Sequence, residues 1–176
     1  MVNERLSPQL VMHLENFDKL PMMDLPEKYS TRSAKEGDEQ AWVDIINDSF
    51  GYSANRSFDS LKREACFSYD RVFFVLYNGI PVGTATSWYR QEWPDDTGYL
   101  HMVGVKQDHS GKHLGAYVSL EALAHMKARG FKSCVLQTDD FRIPAIKTYL
   151  RLGFQPKFTH ENHLERWDHI KEKIKI

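Results

Sequence analysis

The sequence predicts an α+β fold, a mixed, mostly antiparallel central sheet flanked by helices. Two observations favour this class. First, helical patterns precede three strand-like runs joined by tight turns, which is typical of antiparallel neighbours. Second, a strand–helix–strand–helix order follows those runs. The chain has 176 residues, of which 41% are hydrophobic and 27% charged, so it is long enough for one domain with a sizeable core.

Hydrophobic spacing and turn residues place the individual elements. Apolar residues at helical spacing predict helices over 38–50, 57–66, 114–129, 144–152 and 163–176. Apolar or alternating runs bounded by turn residues predict strands over 29–33, 72–77, 80–89, 99–105, 133–138 and 154–158. The Asn78-Gly79 pair is a hairpin signal, Pro144 suits a first helical turn, and Gly153 suits a helix C-cap.

Residues 1–27 are predicted to form an N-terminal extension, with a turn of helix, wrapped on a single domain of residues 28–176. Pro21 and Pro26 interrupt any longer element in this stretch. The two cysteines, Cys66 and Cys134, stand in apolar settings without a CxxC partner, which favours a reduced interior.

Composition argues against several classes of function. The 23 basic and 24 acidic residues leave a net charge of −1. The sequence therefore lacks the excess of basic residues that is typical of proteins that bind nucleic acid or an anionic membrane. No run approaches the ~20 apolar residues of a membrane span, and no signal peptide is recognisable. Two histidine pairs, 109 with 113 and 160 with 163, lack accompanying cysteines or spaced acids, so no metal site is predicted. We therefore expect a cytoplasmic protein without nucleic acid or membrane as a partner.

The most informative segment is 103–116, where an apolar strand run leads into a turn with two glycines and then a helix. Free N–H groups at a helix start, with the positive end of the helix dipole, bind phosphate oxygens. A Walker loop is excluded because Lys106 and His113 replace its first glycine and its Ser or Thr. A dinucleotide loop is excluded because Gly111 and Gly115 are four residues apart. The segment therefore predicts a phosphate-bearing ligand of another kind.

This loop resembles the acetyl-CoA loop of the GNAT superfamily of N-acetyltransferases, Gln/Arg-x-x-Gly-x-Gly/Ala. The six positions are here SGKHLG, so that Ser110 replaces Gln or Arg and His113 replaces Gly. A side chain at 113 is compatible with the loop only if the residue keeps a negative φ.

A second block resembles the same superfamily, whose pattern there is Asn-x-x-Ala-x-x-x-Tyr-x-x-x-Gly-Phe. Its positions are occupied, in order, by Arg142, Ala145, Tyr149, Gly153 and Phe154. Only the Asn is replaced. The opening residues 25–51 also resemble the mycothiol-synthase-like subgroup of the superfamily.

The resemblance implies that the fourth and fifth strands of the sheet splay apart around acetyl-CoA, the co-substrate. It places the pantetheine arm along the backbone of Val103, Gly104 and Val105. It places the pyrophosphate on the loop amides of Gly111, Lys112, His113, Leu114, Gly115 and Ala116, with the hydroxyl of Ser110 as a further donor. Arg142 and Lys147 are candidates for further contacts with CoA, the alternative being charges that only face solvent.

The resemblance also implies that Tyr149 donates a proton to the CoA thiolate, against the alternative of a core tyrosine. His101 and Glu92 are the candidates for the base, because strand alternation predicts His101 on the same face as Val103 and Val105. A packed strand histidine is the alternative. Other carboxylates and ordered water also stay open as the base; the carboxylates are Asp95, Asp96, Asp139 and Asp140.

The function expected from these blocks is acetyl transfer from acetyl-CoA to a primary amine of a small molecule or peptide. A non-catalytic acyl-CoA sensor, another acyl group, a hydroxyl acceptor and a nucleotide-binding protein are the alternatives. Residues 51–60 and 158–165 are expected to wall the acceptor pocket. The oligomeric state stays open, with a homodimer as the commonest assembly.

Overall fold

The computed structural model describes residues 6–51 and 56–175. Its strands are β1 (Leu10–Leu14), β2 (Tyr29–Ser33), β3 (Val72–Tyr77), β4 (Ile80–Trp88), β5 (Thr97–Val105), β6 (Ser133–Thr138) and β7 (Gln155–Lys157). Its helices are α1 (Glu39–Phe50), α2 (Asp59–Lys62), α3 (Leu114–Ala128), α4 (Ile143–Arg151) and α5 (His163–Ile174). The predicted α+β class is confirmed.

The predicted helix over 57–66 is shorter than expected, because α2 ends at Lys62. The chain turns there and brings Phe67 edge-on against Phe58, with ring centroids 5.7 Å apart. The turn also buries Cys66, whose Sγ lies 3.9 Å from the Tyr89 carbonyl oxygen.

All seven strands form one sheet in the order β2-β3-β4-β5-β6-β1-β7. Neighbours are antiparallel except for β5 and β6, which run parallel. That parallel pairing covers only Thr97–Tyr99 against Ser133–Val135. Both strands continue beyond these residues without pairing with each other, so the predicted splay between the fourth and fifth strands of the family pattern, β5 and β6, is present.

Strand β1 lies within the residues predicted to form an extension, yet it occupies an interior position of the sheet. Val11 is in register with Gln137 of β6 on one side and with Lys157 of β7 on the other. The predicted turn of helix is therefore wrong here. The run LVMHL has four buried residues out of five, and a short, nearly continuous apolar run is typical of a strand covered on both faces.

Helices cover both faces of the sheet and divide the core into two clusters. One cluster joins β1 to α3, α4 and α5, and the other joins α1 and α2 to the opposite face. Two glycines of β5 allow this close packing. A Cβ on Gly98 would lie 2.6 Å from the Met126 sulfur of α3, and one on Gly104 would lie 3.1 Å from the Ser49 Cβ of α1.

A bulge interrupts β5 just before the splayed end. The register with β4 shifts between Thr84 and Thr86, whose partners are Gly104 and His101. Met102 takes up the extra residue with a φ of +51°. The side chains on either side of Met102 therefore no longer alternate regularly.

Candidate functional site

Two adjoining cavities open where β5 and β6 separate. The larger one, here the groove, has a volume of about 610 Å³ and lies between the end of β5, the 109–115 segment and α4. The smaller one, here the inner cavity, has a volume of about 260 Å³ and lies deeper along β5 and β6. Both are lined by Val103, Phe141, Arg142 and Tyr149, so the two spaces meet at these residues.

The loop at the start of α3 presents unused backbone donors. In the described chain, the amides of Gly111, Lys112 and His113 make no hydrogen bond, and Leu114 and Gly115 occupy the first turn, where an amide has no partner within the helix. Five consecutive N–H groups at a helix N-terminus are a site for anionic oxygens. The amide of Ala116 differs, because it donates to the His113 carbonyl at 2.9 Å.

His113 does not meet the condition of a negative φ that the sequence analysis set for a side chain at this position. Its φ is +58°, in the left-handed region, and Gly111 beside it has a φ of +76°. The loop therefore needs at position 113 the conformation that glycine adopts most easily, and this chain adopts it with a histidine. The Nδ1 atom of His113 lies 3.5 Å from an Nη1 atom of Arg151.

Of the predicted loop contacts, Ser110, Gly111, His113, Leu114 and Gly115 line the groove together with Val103, Gly104, Val105 and Arg142. Two predicted contacts do not line it. The Lys112 ammonium lies 3.5 Å from the carbonyl of Asp108, and the Ala116 amide is used inside α3.

Cationic side chains line the groove, and no carboxylate lines it among the described residues. Guanidinium and ammonium groups come from Arg142, at the N-cap of α4, and from Lys147 and Arg151 within it. Imidazoles come from His109 and His113. The sequence reasoning missed Arg151 and His109. Since Lys147 and Arg151 are four residues apart on a predicted helix, their common face was a signal that could have identified Arg151.

His109 is held by two aromatic residues. The Tyr29 hydroxyl lies 2.8 Å from its Nδ1, and the Tyr77 ring centroid lies 5.1 Å from the imidazole. A further contact fixes the chain two residues earlier, where the Gln107 amide donates to Asp48 Oδ2 at 2.6 Å. The approach to the loop is thereby attached to β2, β3 and α1.

Tyr149 lies at the junction of the two cavities. Only 7% of the residue is exposed, and its ring packs against Phe154. Its hydroxyl forms no hydrogen bond within the described part of the chain. Burial raises the pKa of Tyr149 to about 12, so the phenol stays protonated at neutral pH.

His101 lines the inner cavity, but the bulge gives it a different face from the one predicted. Its ring neighbours Tyr99 and Trp88, on the α1 side, whereas Val103 and Val105 pack toward α3. Burial, and then the charges of Arg90 and Arg56, lower the pKa of His101 to about 3. The imidazole is therefore neutral and a weak base.

The other carboxylates proposed as the base differ in position. Glu92 lines neither cavity, since it is exposed and its Oε1 lies 3.9 Å from Arg90. Asp95 and Asp96 are likewise exposed and outside both cavities. Asp139 lines the inner cavity and accepts a 2.9 Å hydrogen bond from the Gln9 amide.

Asp140 has a structural contact instead. The Arg166 guanidinium donates to both of its carboxylate oxygens, at 2.9 and 2.6 Å, and also to the Pro8 carbonyl at 2.8 Å. Burial alone would raise the pKa of Asp140, but the hydrogen bonds and charge of Arg166 outweigh it and lower that pKa. This pair ties the segment carrying Arg142 to α5 and to the residues before β1.

The walls expected for the acceptor pocket are found only in part. Residues 52–55 of the 51–60 segment lie outside the described residues, and Arg56 lines the inner cavity. None of residues 158–165 lines either cavity. The wall on that side comes from Gln9, Gln137 and Asp139, because β1 follows β6 in the sheet.

No three His, Cys, Asp or Glu side chains in the described ranges are placed to hold a metal ion. None of the described helices combines the length and the apolar character needed to cross a membrane.

Comparison with protein families matches residues 39–154 to the acetyltransferase (GNAT) family. Curated relatives include the mycothiol acetyltransferase of Streptomyces coelicolor, 28% identical over 82% of this chain and 48% of the relative. The mycothiol acetyltransferase of Kytococcus sedentarius is 30% identical over 79% of this chain and 49% of the relative. The chain thus spans about half the length of the curated relatives it matches.

Solved structures show the same fold. A GCN5-related N-acetyltransferase from Sphaerobacter thermophilus superposes with a TM-score of 0.66 and 21% identity, covering 84% of this chain and 48% of the other. The ribosomal-protein-S18-alanine N-acetyltransferase of Escherichia coli superposes with a TM-score of 0.56 and 18% identity, covering 74% and 79%.

Proposed function

Because the chain belongs to the acetyltransferase (GNAT) family, we propose that it transfers an acetyl group from acetyl-CoA to the amine of a small molecule or peptide. One observation carries the proposal. The groove offers the unused amides of four lining residues and a cationic lining at one end, and at its other end it meets the inner cavity beside Tyr149.

The groove suits a polyanion. CoA carries a diphosphate and a phosphate monoester, and the loop amides at the start of α3 are donors of the kind that bind such oxygens. Lys147 and Arg151 supply positive charge on the facing helix, and no described lining residue opposes it. The residues present therefore fit the co-substrate.

The exposed edge of β5 suits the pantetheine arm. Pairing between β5 and β6 ends at Tyr99, so the following residues have unpaired backbone groups on the side toward β6. An extended amide-bearing chain can add to such an edge as a strand does. Val103, Gly104 and Val105 lie along this edge and line the groove, which leads the arm toward Tyr149.

Bound acetyl-CoA would supply a thioester whose acetyl carbon is the electrophile. The unprotonated amine nitrogen forms a bond to that carbon while the carbon–sulfur bond breaks. The departing sulfur takes a proton to become the thiol, and the amine gives up a proton to solvent. Tyr149 is the residue that we place beside the sulfur.

The high pKa of Tyr149 limits how it assists. An ordinary thiol has a pKa of ~8.5, so a complete transfer from a phenol of pKa about 12 to a free thiolate is uphill by about 5 kcal/mol. We infer that the hydroxyl keeps its proton and donates a hydrogen bond to the sulfur as negative charge develops there, and that the proton that completes the thiol comes from solvent. Such a donor is typically worth about 100-fold in rate.

The relatives' name, mycothiol acetyltransferase, supports acetyl transfer. We do not extend their substrate to this chain, which matches about half of their length. We also propose an amine acceptor, a cytoplasmic location and a homodimer.

The test has two readouts. Acetyl-CoA should raise the melting temperature with its concentration, and ATP should not, because only a ligand of the native state stabilises it. Thiol release with an amine acceptor should fall about 100-fold in Tyr149→Phe while the melting shift persists. Tyr89→Phe, an exposed tyrosine outside both cavities, is the matched control and should keep full activity.

Absence of a shift with any CoA species would refute the proposal. A shift without turnover for any amine would instead support the acyl-CoA sensor. Full turnover in Tyr149→Phe would show that another group assists the leaving sulfur.

A further inference from the structure

One wall of the inner cavity carries uncharged hydrogen-bonding side chains, two of which fix each other. Tyr99 and Gln137 both line the cavity, and the Tyr99 hydroxyl donates to Oε1 of Gln137 at 3.0 Å. Burial raises the pKa of Tyr99 to about 12, so this donor keeps its proton at neutral pH. The oxygen end of the Gln137 amide is therefore bound to Tyr99, and the nitrogen end, with its two N–H donors, is the other end.

The Nε2 atom of Gln137 is open to the cavity. Within the described ranges no atom accepts a hydrogen bond from it, and it is not among the side-chain atoms enclosed by the protein. Gln137 lies on β6 two residues beyond Val135, where the pairing with β5 ends. An accessible amide donor at the opening between two strands is available to an oxygen atom of a bound molecule.

His101 adds a second uncharged group next to the first. Its ring centroid lies 5.4 Å from that of Tyr99, and it lines the same cavity. Burial, and then the charges of Arg90 and Arg56, hold its pKa at about 3, so the imidazole is neutral at pH 7. A neutral imidazole has one N–H donor and one nitrogen acceptor, and neither forms a hydrogen bond in the described part of the chain. Because Tyr99 contacts both residues, one small molecule can reach both groups.

The two groups match a ligand group that both accepts and donates a hydrogen bond. Gln137 supplies the donor, and the unprotonated ring nitrogen of His101 supplies the acceptor. A hydroxyl or a carboxamide satisfies both, whereas an alkyl group leaves both without a partner and shielded from water, which is unfavourable. The neighbouring parts of the lining, Leu100, Met102 and Val103, are apolar. This wall therefore favours an uncharged polar group.

Deepening the proposed function and resting on it, we propose that the acceptor is a compact amine that carries a hydroxyl or carboxamide group. The oxygen of that group accepts a hydrogen bond from Nε2 of Gln137, and its hydrogen is donated to the ring nitrogen of His101. The amino group lies at the junction, where Tyr149 lines both cavities. A volume of about 260 Å³ is below the usual ~300–1,000 Å³ of small-molecule pockets, which selects a compact acceptor.

Two pairs of amines of matched size test the hydrogen-bonding group. Ethanolamine is compared with propylamine, and glycinamide with isobutylamine, so that a methyl or an isopropyl group replaces the polar group. Thiol release gives kcat/KM, expressed per unprotonated amine because the members of a pair differ in pKa. The polar member should be favoured at least about 10-fold, since the alkyl member leaves two protein groups unpaired. The pair with the larger ratio distinguishes hydroxyl from carboxamide.

Variants of Gln137 and Tyr99 assign the preference to this wall. Gln137→Glu keeps the size and still accepts from Tyr99, but it replaces the N–H donors by an oxygen, so it should lose most of the ratio by slowing the polar member. Tyr99→Phe frees the amide to rotate and should lose part of the ratio, chiefly through KM. Gln155→Glu makes the same change at an exposed position outside both cavities and should keep the full ratio. A melting shift with acetyl-CoA checks that each variant is folded and binds the co-substrate.

Calorimetry with the same amines in the presence of CoA covers acceptors that bind without turnover. Equal binding and turnover of both members of each pair, or a ratio that Gln137→Glu leaves intact, would overturn the inference. So would a failure of both polar amines to bind. Failure of acetyl-CoA itself to bind would overturn the proposed function instead, so the two failures are distinguishable.

Discussion

At the residue scale, His113 is where this chain departs most from its family pattern. Position 113 has a φ of +58°, and the family pattern places glycine there. A side chain in the left-handed region costs roughly 1–2 kcal/mol, whereas glycine adopts that region freely. Histidine therefore makes the loop less stable than the same loop with glycine.

We expect His113→Gly to stabilise the protein. The relief of strain is partly offset by the roughly 0.5–1 kcal/mol that glycine loses in conformational freedom on folding, which leaves a gain of about 0.5–1 kcal/mol. For a chain of this size the melting temperature should rise by about 2 °C. His113→Ala keeps the strained conformation and is the matched control. An equal rise in both variants would show that strain is not the cause.

His101 determines what the pH dependence should look like. Burial, and then Arg90 and Arg56, hold its pKa at about 3, and burial holds the pKa of Tyr149 at about 12, so neither titrates between pH 5 and 9. We expect log kcat/KM to rise with pH at a slope near one until the acceptor amine is deprotonated. His101→Gln should leave the shape of this profile unchanged. A break near pH 6.5 that the variant abolishes would show that His101 is the base after all.

At the element scale, the sequence predicted the elements whose signals are periodic or carry turn residues. The predicted helix over 114–129 is α3, and the Asn78-Gly79 hairpin joins β3 to β4. The bulge at Met102 was not predictable, because a single positive φ at a methionine leaves no pattern in the sequence. It moved His101 away from the face expected by strict alternation.

The contacts that join the turn after β6 to α5 and to the residues before β1 were not predictable either, because they join residues far apart in sequence. Arg166 is buried and Asp140 is nearly so, and their bidentate pair holds the turn after β6. No local pattern links a helix arginine to an aspartate 26 residues earlier. Tyr149, at the junction of the two cavities, could be identified from the local motif over 142–154. The side chains that hold the turn after β6 could not be identified in this way.

Removing one partner of this pair should be costly. Arg166→Met leaves the partly buried Asp140 carboxylate without the guanidinium, for which the expected loss is about 1–3 kcal/mol in the free energy of unfolding at pH 7. Because the pKa of Asp140 is lowered in the folded state, the pair stabilises above the ordinary value of 3.8 and loses this effect as pH falls through the lowered pKa.

Urea unfolding at several pH values measures this prediction. The difference between wild type and Arg166→Met should be largest near pH 7 and should shrink below pH 4. Lys171→Met, which removes an exposed ion pair with Asp168, should cost less than about 1 kcal/mol. A difference that stayed constant down to pH 2 would show that packing, and not the charge pair, accounts for the loss.

At the scale of the whole molecule, the sheet depends on a strand from outside the family-matched region. That region covers 39–154, whereas β1 covers Leu10–Leu14 and separates β6 from β7. The side chain of Met12 is fully buried in the cluster that also contains Tyr149, and its neighbours in register are Leu136 and Pro156. Strand β1 therefore belongs to the same cooperative core as the site.

We expect Met12→Ala to lower the free energy of unfolding by about 2–5 kcal/mol in a single transition. His13→Ala, at the neighbouring and partly exposed position of the same strand, should cost less than about 1 kcal/mol. Circular dichroism and tryptophan fluorescence should report one midpoint, because Trp42 and Trp167 belong to the two clusters on opposite faces of the sheet. Two separate midpoints, or a small effect of Met12→Ala, would show that β1 unfolds independently of the rest of the domain. The wall that Gln9 gives to the inner cavity would then be lost before the domain unfolds.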